Sequence, residues 1–238
     1  LTKLSERVSR KGSNLLFDGD VIKNALTDHI VKIMNEGGDE TSWKAYVAFM
    51  EKLYTNPSQE SREHLFHFIE KHGLLVTPDG DAVFYKSTRQ DGLSTKSGYG
   101  IVNGVEYEND LLPNSVGAVV EIPRSMVDDN RGVACSVGLH VGAHRYASTY
   151  SQRMWTVLVN PRDVVSVPSD SNDEKIRVAR YVVAEENPQK VKYDGTVKSF
   201  EVFTPEPEVQ EAVAEAAAPE TIKVNVTKRK IEAPAPAK

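Results

Sequence analysis

Cysteine is nearly absent: the 238 residues contain one, Cys135. That excludes an intrachain disulfide framework and any multi-cysteine zinc site, and it fits a reducing cytosol. No apolar run approaches the roughly 18–20 residues that span a bilayer, and no secretory signal is visible. Basic excess is missing as well. The 29 Lys and Arg are outnumbered by 34 Asp and Glu, a net charge of −5. Direct nucleic-acid binding through a broad basic surface is therefore not expected. Apolar residues reach only 39%, below the usual share of about 45–50%, and the mean hydropathy is −0.41. The chain opens on Leu1 rather than Met, which leaves a preceding segment open.

Part of the apolar deficit can be located. Residues 204–238 hold five of the twelve prolines and eight alanines, with no aromatic residue and no glycine. Such a tail buries too little apolar surface to offset its ordering entropy, and it is expected to be disordered. It holds six acids and five bases, so the acidic balance belongs to the remaining body. The basic run VTKRK at 226–230 is short, and its three basic residues attract anionic lipid only weakly.

The first third carries helical periodicity. Val21, Ile22, Ala25, Leu26, Ile30, Ile33 and Met34 form one stripe, ended by Gly37-Gly38. Trp43, Tyr46, Val47, Met50, Leu53 and Tyr54 form a second, with Thr41 as its expected N-cap. Asn56-Pro57 then stops one helix and starts another, Asn56 capping and Gln59 completing a capping-box pattern. Leu65, Phe66, Phe68 and Ile69 supply the third apolar face before Gly73.

From Leu74 the period changes. Pro78-Asp79-Gly80 is a turn signal between β-rich runs. Residues 88–115 are polar and contain glycine, and this length suggests a functional loop. Short apolar runs follow at 116–122, 137–141, 155–159, 164–167 and 176–184, with a helix expected over 143–151 and a hairpin over 190–203. The fold class is α+β: a helical segment over 1–73, a mostly antiparallel β-sheet domain over 74–203, and the disordered tail.

Chemistry concentrates in residues 122–150, where Asp128, Asp129, Asn130 and Arg131 precede Cys135, Gly138, His140 and His144. A thiol nucleophile needs Cys135 and His140 within hydrogen-bond reach. Five residues apart on one strand, they would face opposite ways. A metal site would draw on His140 and His144, with the aspartates adding oxygen ligands across a strand-to-helix junction, or on His64 and His67, which have no obvious third ligand; none is assigned. A binding surface is the remaining reading, built from Tyr85, Lys86, Tyr99, Tyr107, Asp91 and Asp110. In it Asp128, Asp129 and Arg131 fix the turn leading to Cys135, Gly138 and His140, and His140 faces a cleft.

Two resemblances bear on this segment. Gly138-Leu139-His140-Val141, followed by Ala147 and Tyr150, resembles the strand-and-helix motif of ADP-ribosyltransferases. That likeness implies an ADP-ribosyltransferase-like sheet, with NAD or another nucleotide as cofactor and His140, Tyr85, Glu185 and Glu186 as candidate catalytic residues. Lys86 stands nearest the place where that pattern has His or Arg on its opening strand. The second resemblance is longer. AVFYKSTRQDG (82–92), NSVGAVVEIPRSMVDDNRGVACSVGLHVGAHRYA (114–147) and VLVNPRDVVSVPSD (157–170), preceded by a helix–NPS–helix unit, are similar to the RIIB family of tailed phages, the rapid-lysis-inhibition proteins. This resemblance implies a phage protein in the host cytoplasm, acting on lysis timing and superinfection exclusion. It implies an RIIA-type partner, a possible link to a host membrane-associated protein, and no resident cofactor.

Overall fold

The computed structural model describes residues 1–133, 135–150, 152–169, 174–186 and 188. The hairpin expected over 190–203 and the tail at 204–238 lie outside them. Strands β1 (Thr2–Lys3), β2 (Val8–Lys11), β3 (Asn14–Phe17) and β4 (Asp20–Ile22) form an antiparallel meander. The helical stripe expected to begin at Val21 thus begins in strand. Asp18 and Gly19 take φ of 52° and 94°, the two positive values of a tight hairpin turn. They follow Leu15 and Phe17, whose alternate side chains are buried.

Helix α1 (Ala25–Asn35) starts only after Asn24. The Asn24 side chain accepts from Thr27 N at 3.0 Å, and Thr27 Oγ1 accepts from Asn24 N at 2.9 Å. This reciprocal cap closes the helix on its N-terminal side. Helix α2 (Glu40–Tyr54) is entered from Asp39 rather than Thr41. Helix α3 (Gln59–His72) is capped by Ser58, whose Oγ accepts from Ser61 N at 3.2 Å. Asn56 is not the cap. It is buried, and its Nδ2 donates to Pro161 O and Val164 O at 2.8 and 2.7 Å.

The fold is α+β, with nine antiparallel strands in the second sheet. They are β5 (Ala82–Thr88), β6 (Leu93–Val102), β7 (Val105–Pro113), β8 (Val119–Glu121), β9 (Leu139–Gly142), β10 (Arg153–Val159), β11 (Val164–Ser166), β12 (Lys175–Val178) and β13 (Arg180–Glu186). Their order is β11-β12-β9-β5-β10-β13-β8-β6-β7. Helices pack against it, Phe68 of α3 lying 6.0 Å from Phe84 of β5 between ring centroids. One apolar core runs from Val8 through Phe49 and Phe84 to Val183; each such buried side chain contributes about 1.5–3 kcal/mol.

Two expectations change here. The stretch 88–115 is largely a long hairpin, β6 and β7 joined by Asn103-Gly104 with φ of 50° and 82°. Asn-Gly is the residue pair that a two-residue turn of this twist prefers. The apolar run 176–184 is two strands. Between them Ala179 N donates to Asp163 O at 2.8 Å, and its carbonyl accepts from Ile122 N at 2.9 Å.

Candidate functional site

Strands β5 and β9 are neighbours through a single residue pair, Tyr85 opposite Gly142. Beyond it the ladder stops, and a cleft of about 880 Å³ opens, walled by β5, β6, β9, helix α4 (His144–Thr149) and the segment before β9. Tyr85, Tyr99, Cys135, Gly138 and His140 all line it, so one part of the predicted set converges. A Cβ on Gly138 would come within 2.9 Å of Val127 Cγ1, which explains the glycine at that wall.

The rest stand elsewhere. Asp128 Oδ1 accepts from Asn130 N at 2.9 Å, and bonds from Ser136 and Asn130 hold its carboxyl below the ordinary range. Asp129 is exposed in the same turn. Arg131 donates to Val167 O at 2.7 Å and lies 2.9 Å from His64 Nε2, joining α3 to the end of β11. Tyr107 is buried in β7 opposite Gly100, outside the cleft lining. Glu185 accepts from Thr156 Oγ1 at 3.3 Å and Glu186 from Arg153 Nε at 2.7 Å, both on the β10–β13 ladder. Among the described residues, no three His, Cys, Asp or Glu side chains gather as a metal site would require.

The electrostatics of the cleft come from residues to which the sequence pattern drew little attention. Lys86, Lys96 and Lys175 line it, and among the described residues no carboxylate does. Lys86 Nζ donates to His140 O at 3.1 Å and faces the Tyr181 ring at 5.5 Å. Burial alone pushes this ammonium down to about 8, because a charge deep in protein loses its hydration. Lys175 Nζ donates to Cys135 Sγ at 2.9 Å and stands 5.8 Å from the Tyr146 ring. His140 lies between these cations; burial first, then Lys86, Lys175 and Arg177, push it down to about 4, so it is neutral at pH 7. Its Nε2 is buried with no hydrogen-bonding partner among the described residues. Burial raises the phenols of Tyr85 and Tyr146, the latter to about 12, which keeps both as neutral hydroxyls.

A second cluster holds the segment leading to the cleft. Arg177, on β12 opposite His140, is fully buried. It donates to Asp128 O, Val133 O and Asn130 O at 2.6–2.7 Å, and to Ser166 Oγ at 3.0 Å. Arg124 donates to Arg162 O, Asn56 Oδ1 and Val164 O at 2.7–2.9 Å. The Asn-Pro-Ser, Ile-Pro-Arg and Asn-Pro-Arg-Asp motifs thus meet in one hydrogen-bonded latch between the helices and the sheet. A usable sequence signal for Arg177 was its position between Ile176 and Val178, where a buried charge needs a partner.

Comparison with known proteins follows the same residues. Residues 12–195 match a family model described as bacteriophage T4 protein rIIB. The chain is 32% identical over 186 residues to the protein rIIB of Enterobacteria phage T4, covering 77% of this chain and 55% of that relative. The chain therefore spans about half the length of the curated relative it matches. No solved structure matches it.

Proposed function

The chain belongs to the bacteriophage T4 rIIB family, and from that membership we propose that it is a binding and regulatory protein of the infected bacterium, acting on lysis timing and superinfection exclusion with an RIIA-type partner. The observation that favours binding through the sheet is the state of its two edges. The β11 edge is covered by α3, where Ser61 Oγ donates to Val165 O at 2.9 Å. The β7 edge has no further strand among the described residues, and exposed Glu106, Glu108 and Asp110 lie along it. An open strand edge offers backbone hydrogen bonds to a partner, and its charges select which one.

Among the described residues no helix is long and apolar enough to cross a membrane, so the proposed place of action is the host cytoplasm, with any inner-membrane association made through a partner. Capture of proteins from infected cells on the tagged chain tests the reading. The expected outcome is recovery of an RIIA-type protein, lost when Glu108→Lys and Asp110→Lys are combined and kept in His140→Ala. Capture that survives the double substitution and fails in His140→Ala would reverse the assignment.

A second reading, a nucleotide-dependent transferase, is favoured by one observation: Tyr85, Gly138, His140, Ala147 and Tyr150 of the transferase-like motif line one cleft. Its test is labelled ADP-ribose on host protein or nucleic acid, abolished by Glu185→Gln or Glu186→Gln.

A further inference from the structure

Among the described residues, Lys86 and Lys175 of the cleft lack the carboxylate partner that cations withdrawn from water normally have. An ammonium carries three donors and a full charge. Lys86 meets one carbonyl oxygen and a ring face, and Lys175 a sulfur and a ring face. Burial is the one cause acting on Lys86, with no carboxylate offsetting it. Taking a charge out of water without a counter-charge is unfavourable. Two such ammoniums beside the same neutral imidazole, on the wall of an open cleft, form a place where an anion would relieve that cost. His140 Nε2, buried and without a partner, adds a polar atom at the same point.

The mouth has a different character. Tyr146 and Tyr150 stand 5.3 Å apart between ring centroids. Tyr150 and Val137 are each 62% exposed, and Met126 stands beside them in the same lining. A ligand that fits has an anionic end for the deep lysines and a flat apolar body for the tyrosines. The volume, about 880 Å³, lies within the range of small-molecule sites.

We propose that this cleft is a nucleotide-binding site, with phosphate held by Lys86 and Lys175, Lys96 at the rim, and the base against Tyr146 and Tyr150. The proposal rests on the cleft alone, and neither the partner assignment nor transfer chemistry enters it. Phosphate bound by ammoniums makes charge-assisted hydrogen bonds, and a nucleobase stacks on an aromatic ring with little dependence on its identity.

Titration calorimetry of the full chain with ADP tests it, with pyrophosphate and laurate as the competing anions. ADP is expected to bind with one site, and pyrophosphate about tenfold or more weaker, since it lacks the stacking body. Lys86→Met and Lys175→Met should each weaken ADP by about tenfold or more, and Tyr150→Ala by about fivefold or more. Lys44→Met, on the remote α2 surface, should change nothing. Circular dichroism checks folding; were one lysine variant to misfold, the other and the exposed Tyr150→Ala decide. The proposal is overturned by no heat with millimolar ADP, by pyrophosphate binding as tightly as ADP, by laurate binding more tightly than ADP with the same sensitivity to the lysines, or by indifference to all three substitutions.

Discussion

On one side of the segment before β9, Arg177 gives its guanidinium to three backbone carbonyls and the Ser166 hydroxyl. On the other, Lys86 reaches a single carbonyl, that of His140, and a tyrosine ring. Arg177 is fully buried and helps hold the nearby Asp128 carboxyl low, whereas among the described residues no carboxylate acts on the part-buried Lys86. The arginine's planar fork lets several carbonyl dipoles share the charge, so the 128–133 turn becomes its counter-charge. The lysine is a compact point charge, and its surroundings leave most of its donors unmet by protein oxygen. Saturation marks a residue that builds structure, and an unmet charge beside open space marks one available to a ligand.

The difference is sharpest on removal. Arg177→Met should produce the largest effect in the molecule. It strips partners from the Asp128, Asn130 and Val133 carbonyls together, and each buried acceptor left unmet costs about 1–3 kcal/mol. A loss of about 3–5 kcal/mol in urea unfolding is expected. Arg177→Lys should recover little of it, because one ammonium cannot reach acceptors spread around a fork. Full stability in Arg177→Met would mean that the turn holds itself, and that the two cations do not differ as described.

Lys86→Met should move stability the other way, by a smaller amount. The folded-state value of Lys86 is about 8, against about 10.4 for a free lysine. Below pH 8 both states carry the charge, and the folded state bears the full cost of burying it. Between about pH 8 and 10.4 the unfolded chain holds more protons, so wild-type stability rises with pH across that window. The methionine variant lacks the cost and lacks the rise. It should be more stable at pH 7 by about 1–3 kcal/mol, with the gap closing toward pH 10. A variant less stable at pH 7 would show that Lys86 is structural, like Arg177.

How far these features can be read without coordinates depends on where their partners lie. The three helices and most strands are local events, set by the spacing of residues such as Tyr46, Met50 and Leu53 or by the alternation in AVFYK, and they are legible. The opening meander was missed: Asp18-Gly19 between apolar runs is a turn signal, but Val21 and Ile22 also continue the helical stripe. Only the Asn24–Thr27 cap settles which period holds. The long hairpin hides for another reason: residues 95–97 of β6 and 108–110 of β7 are exposed in unbroken runs, so apolar alternation is interrupted and Asn103-Gly104 is the surviving signal. In the site, Cys135, Gly138 and His140 are close in sequence, and they line one cleft. Lys175 and Arg177 come from a strand some forty residues on, and nothing local tells that one faces a cleft and the other a turn.

His140 offers the subtlest separation of the two sides. Burial acts on it first, then Lys86, Lys175 and Arg177 in the same direction, while the Gly138 backbone opposes them; the result is about 4. A free histidine titrates near 6.5. Between those values the unfolded chain binds the extra proton, so this group removes stability as pH falls from 6.5 and ceases to do so below about 4. At pH 5 the wild type should have lost on the order of 1 kcal/mol that His140→Asn retains, read as the difference in urea midpoint between pH 7 and pH 5. After burial, Lys86, Lys175 and Arg177 supply the electrostatic pressure on the imidazole. A bound phosphate would offset it. Saturating ADP should therefore raise the His140 value and shrink the acid loss in wild type, leaving His140→Asn with no such pH-dependent gain. Equal gains at pH 5 and pH 7 in wild type would place the phosphate away from His140 and against Lys96 at the rim.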